Sequence, residues 1–228
     1  MAAPHEPNPQ GDLLVTFAVP QESRPFRQHS GAVPGVRVVE TGMGPAQAAR
    51  ALDAALAVGG VAEVWSCGFA GGLRSGLRMG GVVFATMAGP DSPLRRQLRD
   101  AGAVEGRFAT VARVLVTAAE KRTCHAETGA DAVEMESGVI LARCGARGLP
   151  CAVIRVISDE ADEDLPLDFN RFLTADHELR WGRLARALVL APGTLVALRV
   201  FQRRLRQAAE RLAGVLAEVL RSRGRPVW

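Results

Sequence analysis

Aromatic residues are scarce, at 5% of the 228 positions, so any core must rest on Ala, Val and Leu. Lysine is almost missing: Lys121 stands alone among 28 basic residues, and the rest are Arg. The four cysteines, at 67, 124, 144 and 151, form no CxxC pair and no cluster with His, which excludes the common redox and zinc motifs and implies no metal. They read as reduced thiols of a cytoplasmic protein. No apolar run reaches the ~18 residues that a spanning helix needs, and the N-terminus lacks the layout of a signal peptide. The expectation is a cytoplasmic protein, soluble or peripheral to the inner membrane.

What is present is a chain of 48% hydrophobic composition, long enough for one large domain with a full core. Its net charge of +4 is unevenly spread. From Arg180 onward eleven Arg face Glu210 and Glu218, a balance of +9, which leaves −5 for residues 1–179. An acidic body thus precedes a basic tail.

Residues 1–12 read as a flexible leader, 13–180 as the main domain and 181–228 as a helical, Arg-rich extension. Within the domain DLLVTFAV, VRVVE, VAEVWSCG, GGVVFAT and PCAVIRVISD are strand candidates, the last nearly continuous in apolar residues, as in sheets covered on both faces. PAQAARALDAALAVGG is a helix with Pro45 near its start and Gly59–Gly60 at its end. Strands alternating with helices predict a three-layer α/β fold. In such sheets ligands gather at the carboxyl ends of the strands.

Four strand exits carry chemistry. Glu22 follows the first strand, GMGP the second, CGFAGGL the third and Ser158–Asp159 the fifth. CGFAGGL, with Gly68, Gly71 and Gly72 around Ala70, reads either as a backbone that approaches a ligand or as a tight turn. It matches neither a dinucleotide fingerprint nor a P-loop. In RVISDEAD, Asp159 ends a buried-looking strand beside Ser158; it is either a desolvated proton donor or a helix N-cap. In VEMES, Glu134 and Glu136 flank Met135 just before the apolar run GVILARCG. Alone, that pair reads as an exposed helix start.

In the tail Leu198, Phe201, Leu205, Ala209, Leu212, Leu216 and Val219 recur at three- and four-residue steps, with Arg199, Arg203, Arg206 and Arg211 around them. Such a helix either lies on an anionic membrane or packs on its own domain or a neighbouring subunit. One aromatic among its central arginines and no recognition motif argue against nucleic acid as a partner.

AVPQESRPF, TGMGPAQAA, CGFAGGL, VEMES and RVISDEAD stand in the order, and near the spacing, of the nucleoside phosphorylase and nucleosidase superfamily, which residues 13–180 resemble. The resemblance implies a three-layer α/β/α sandwich with a mixed central sheet and a homo-oligomer that cleaves purine nucleosides. It assigns Glu136 to the ribose diol, Met135 to the sugar face and Glu134 to the same pocket. Asp159 becomes the acid at the purine N7, supported by Ser158 and Arg155, and Glu22 the group that activates water. Ala70 and Gly71 would lie near the ribose, with Val114 or Leu115 at the base. No cofactor is implied beyond phosphate as a co-substrate.

Two positions depart from the pattern. Phe69 stands where the nucleosidases carry Ser or Thr, and Val64 and Trp65 occupy the region where bacterial purine phosphorylases have an Arg. A phosphate would then depend on Arg24, Arg27 or Arg37. Phe69, the TAAEKRTCHAETGADAVEMES stretch and the tail are similar to hopanoid-associated phosphorylases, which implies adenosylhopane, a nucleoside-linked lipid, as substrate. Methylthioadenosine/S-adenosylhomocysteine nucleosidase is the alternative, and a non-catalytic nucleoside-binding protein, with Phe69 blocking the nucleophile, is the alternative of another class.

Overall fold

The structure is a computed structural model describing residues 11–172, 174 and 192–224; the leader up to residue 10 and residues 175–191 lie outside the described residues. In chain order the elements are β1 (Asp12–Phe17), α1 (Pro20–Ser30), β2 (Val36–Glu40), α2 (Pro45–Ala57), β3 (Val61–Gly72), β4 (Val82–Thr86) and α3 (Pro93–Asp100). There follow β5 (Val104–Glu105), β6 (Phe108–Thr110), α4 (Ala118–Thr128), β7 (Ala132–Glu134), α5 (Ser137–Ala146), β8 (Cys151–Asp159), a 3-10 turn at Phe169–Phe172 and α6 (Pro192–Ser222).

The sheet is mixed and runs in the order β2-β1-β3-β8-β4-β5. The first four strands are parallel, and β4 runs antiparallel to β8. Alternate residues of a strand face opposite sides, and both sides here are apolar. Leu13, Val15 and Phe17 of β1 join Phe26 of α1, Leu98 of α3 and Leu212 and Leu216 of α6 in one core. Leu14 of β1 joins Leu52 of α2 and Ile140 of α5 in the other. The three layers follow from that alternation, as the sequence predicts.

One local reading changes and one pair of alternatives is decided. The glycines of CGFAGGL are neither a turn nor a loop: β3 continues through Gly72, pairing with β8 on one side and, at Gly71 and Gly72, with β7 on the other. Carboxylates crowd the strand at two of these glycines, Gly68 and Gly71. A Cβ on Gly68, whose φ is +151°, would come within 2.6 Å of a Glu22 carboxylate oxygen, and one on Gly71 within 3.3 Å of Asp159.

The basic tail helix takes one of its two readings, packing on its own domain. From Ala208 to Leu220 its apolar face is buried against the sheet and completes the layer begun by α1 and α3. Burying a leucine side chain contributes about 1.5–3 kcal/mol, so this stretch belongs to the core. Its amino-terminal part differs: Val196 and Val200 are exposed beside Arg199 and Arg203. Among the described residues no helix is long and apolar enough to cross a membrane.

Candidate active site

A cavity of about 260 Å³ opens where the carboxyl ends of β1, β3 and β8 meet β7. Glu22, Phe69, Ala70, Gly71, Val114, Glu134, Met135, Glu136, Ser158 and Asp159 all line it. Arg155 does not; it is buried in β8 behind the wall. Of the arginines considered for phosphate, none lines the cavity, and Arg37 is spent on the carbonyls of Ala55 and Gly59. Among the described residues no His, Cys, Asp and Glu group is placed to hold a metal.

Glu22 lies in the first turn of α1, and its carboxylate folds back over the helix start. One oxygen accepts the N–H groups of Ala18 (2.8 Å) and Val19 (3.1 Å), and the other accepts that of Phe69 (2.8 Å). Thus position 69 contributes its backbone donor, whatever its side chain. Burial pushes Glu22 up to about 7, with the nearby Glu136 adding to the rise and the Phe69 N–H and Arg155 opposing it. At neutral pH the group is divided between carboxylate and acid, the state a general base needs.

The two glutamates of VEMES have separate tasks. Glu134 ends β7, and five groups saturate its oxygens: the N–H of Glu136 (3.0 Å) and Ser137 (2.7 Å), the hydroxyls of Thr110 and Ser137 (2.7 Å each) and Arg155 (2.8 Å). Burial is the largest influence on it and acts upward, yet the Arg155 charge and these bonds outweigh it and hold Glu134 below the usual carboxylate range. Its oxygens therefore serve the protein more than a ligand: it anchors Arg155 and the start of α5. Glu136, the N-cap position of α5, accepts the Gly44 N–H from the GMGP turn (2.8 Å). Burial raises it above the ordinary range, against the pull of Arg155. Because β7 pairs with β3, the start of α5 points into the cavity, not outward as the isolated sequence reads.

Asp159 ends β8 with no helix after it, which removes the N-cap reading. The Ser158 hydroxyl lies 2.5 Å from one of its oxygens and 3.1 Å from the Ala70 carbonyl. The other oxygen contacts the ammonium of Lys121, on the first turn of α4, which is wholly buried. The cation beside Asp159 is thus Lys121, whereas Arg155, which the resemblance implies as its support, pairs with Glu134. Lys121 was missed by sequence reasoning; its signal was being the one Lys in an Arg-rich chain.

The outer end of the cavity is largely apolar, Arg113 being the charged side chain there, paired with Glu120 (2.7 Å). Met43, Val111, Leu115, Phe169, Phe201 and Leu205 form it, with the rings of Phe169 and Phe201 6.0 Å apart. Asn170 fixes Val114 from a distance in sequence, accepting its N–H (3.0 Å) and donating to its carbonyl (2.9 Å). The resemblance implies Leu115 at the base, and Phe201 and Leu205 lie on the apolar face of the tail, but nothing local brings them together, because loop 111–116, the 3-10 turn and α6 meet only in the folded chain.

The sequence pattern of the Phosphorylase superfamily matches residues 4–91 and 87–221. A 49-residue stretch is 47% identical to 5'-methylthioadenosine/S-adenosylhomocysteine nucleosidase of Mycobacterium tuberculosis, covering 22% of this chain and 19% of that protein. A 69-residue stretch is 38% identical to aminodeoxyfutalosine nucleosidase of Helicobacter pylori, covering 30% of each. The matched segments thus span under a third of these relatives. In fold, the chain is similar to the crystal structure of a 5'-methylthioadenosine/S-adenosylhomocysteine nucleosidase from Helicobacter pylori, with a TM-score of 0.69 at 18% identity over 94% of this chain and 100% of the other. With the superfamily pattern covering most of its length, the chain belongs to the phosphorylase superfamily.

Proposed function

We propose that the cavity cleaves the N-glycosidic bond of an adenosine-type nucleoside and releases adenine. The observation that carries this is the meeting of Glu22, Glu136 and Asp159 on one cavity wall, each held differently. Glu136 accepts hydrogen bonds from the ribose diol, while Met135 packs on the sugar. As the bond breaks, the sugar takes on oxocarbenium character, and the carboxylates of Glu136 and Glu22 stabilise that charge. Glu22, near its midpoint at neutral pH, takes a proton from the attacking water. Asp159, backed by Lys121, serves the departing base.

The nucleophile side supports water over phosphate. It presents the Glu22 carboxylate, which repels an anion, and none of Arg24, Arg27 and Arg37. For the 5′ substituent, the apolar outer end supports a nucleoside-linked lipid, adenosylhopane, with Val196, Val200, Arg199 and Arg203 of α6 meeting an anionic membrane surface. The names of the relatives favour a second reading, a methylthioadenosine/S-adenosylhomocysteine nucleosidase.

Adenine release from adenosylhopane and from methylthioadenosine, each with and without phosphate, tests both. Phosphate-independent release from the lipid is expected. Release from methylthioadenosine alone would replace the lipid reading with the second one, and an absolute need for phosphate would overturn the role given to Glu22.

A further inference from the structure

Lys121 is the unexplained group of the site. It does not line the cavity, yet a wholly buried ammonium is costly unless every N–H is paired. Here each is: one faces Asp159, one the Glu160 carbonyl (2.7 Å) and one the Glu163 carbonyl (2.8 Å). Neighbouring carboxylates are drawn elsewhere. Glu160 is held by Arg78 (2.7 Å), and Glu163 by both guanidinium nitrogens of Arg204 from α6 (2.8 and 2.9 Å). Among the described residues Asp159 is the one carboxylate paired with the ammonium.

Resting on the reading of the cavity as a nucleoside-cleaving site, we propose that Lys121 is the proton source for the departing base, acting through Asp159. The partners fit both protonation states. As an ammonium, Lys121 donates to Asp159 and to two carbonyls; as a neutral amine, it keeps both carbonyl bonds and offers its lone pair to the Asp159 O–H. No buried group loses a partner when the proton moves, which a guanidinium could not match because it stays protonated. In the step itself an Nζ–H bond breaks and an O–H bond forms on Asp159. That O–H then breaks as an N–H forms on the base, which keeps the electron pair of the glycosidic C–N bond. Asp159 returns to carboxylate, and after the base leaves a proton from water in the cavity reaches Lys121 by way of Asp159.

The test compares two leaving groups. Adenine in methylthioadenosine or adenosylhopane needs a proton to leave neutral, whereas an N7-methylated purine nucleoside carries its positive charge already. Lys121→Met should lower kcat/KM by about 100-fold or more on the adenine substrate that the wild type cleaves, and leave the N7-methylated substrate within about threefold. Activity on the methylated substrate also certifies that the variant is folded. Equal losses on both substrates in a folded variant, or no loss on either, would overturn the proposal. Lys121→Arg keeps the charge and decides the matter if the Met variant does not fold: it should lose the adenine substrate alone, and full activity would show that charge suffices without a mobile proton. A wild type that cleaves neither nucleoside would instead sink the reading of the cavity, and this assignment with it.

Discussion

Two buried cations stand behind the cavity, and they are built for different work. Arg155 sits amid three carboxylates, pairing with Glu134 directly and acting on Glu22 and Glu136 through its field. Two of its donors, Nε and Nη1, find no partner among the described residues. Lys121 sits beside one carboxylate with its donors filled. A guanidinium keeps its charge through any reaction, so the Arg155 side supplies a constant field. An ammonium can give a proton and keep its place, so the Lys121 side supplies a movable one.

The sharpest way to break the comparison is to remove the fixed charge. Arg155→Met leaves Glu134 buried without its cation and should cost about 3–5 kcal/mol of stability, read by urea unfolding. A cost under about 1 kcal/mol would mean that Glu134 is held by its hydroxyl and N–H bonds alone.

Next in size is the titration of Glu22. Its folded-state pKa of about 7 lies above the ordinary 4.5, so the folded chain holds that proton more tightly than the unfolded chain does. The stabilisation is complete below pH 4.5 and is lost as pH rises to about 7. Relative to Glu22→Gln, the wild type should lose about 3 kcal/mol across that window. A difference independent of pH would show that Glu22 does not titrate there. Activity runs the opposite way: if the carboxylate is the base, kcat/KM rises with pH through about 7.

Smaller still is the effect at the ribose. Glu136→Gln keeps an acceptor for Gly44 but loses the charge, and should raise KM about tenfold for ribosides. An unchanged preference for ribosides over 2′,3′-dideoxy analogues would remove Glu136 from the diol.

The same contrast marks what could be read in advance. The strands and their covered faces were legible because alternation is local: DLLVTF and CAVIRVISD declare two buried faces in their own residues. Glu22 and Asp159 were visible as carboxylates at strand exits, while Glu136 and the roles of all three came from the family resemblance. What each carboxylate touches was not visible. The extension of β3 through its glycines depends on carboxylates arriving from α1 and β8. The pairing of Asp159 with Lys121 joins residues 38 positions apart on different elements, and the apolar mouth draws on α6.

The most direct test of the account is adenine release by the purified wild-type chain beside Asp159→Asn, on adenosylhopane and methylthioadenosine, with nucleoside binding measured in parallel. The account predicts release by the wild type, and binding with turnover reduced by about 100-fold or more in the variant. Binding without release by the wild type, or equal turnover by both chains, would contradict it.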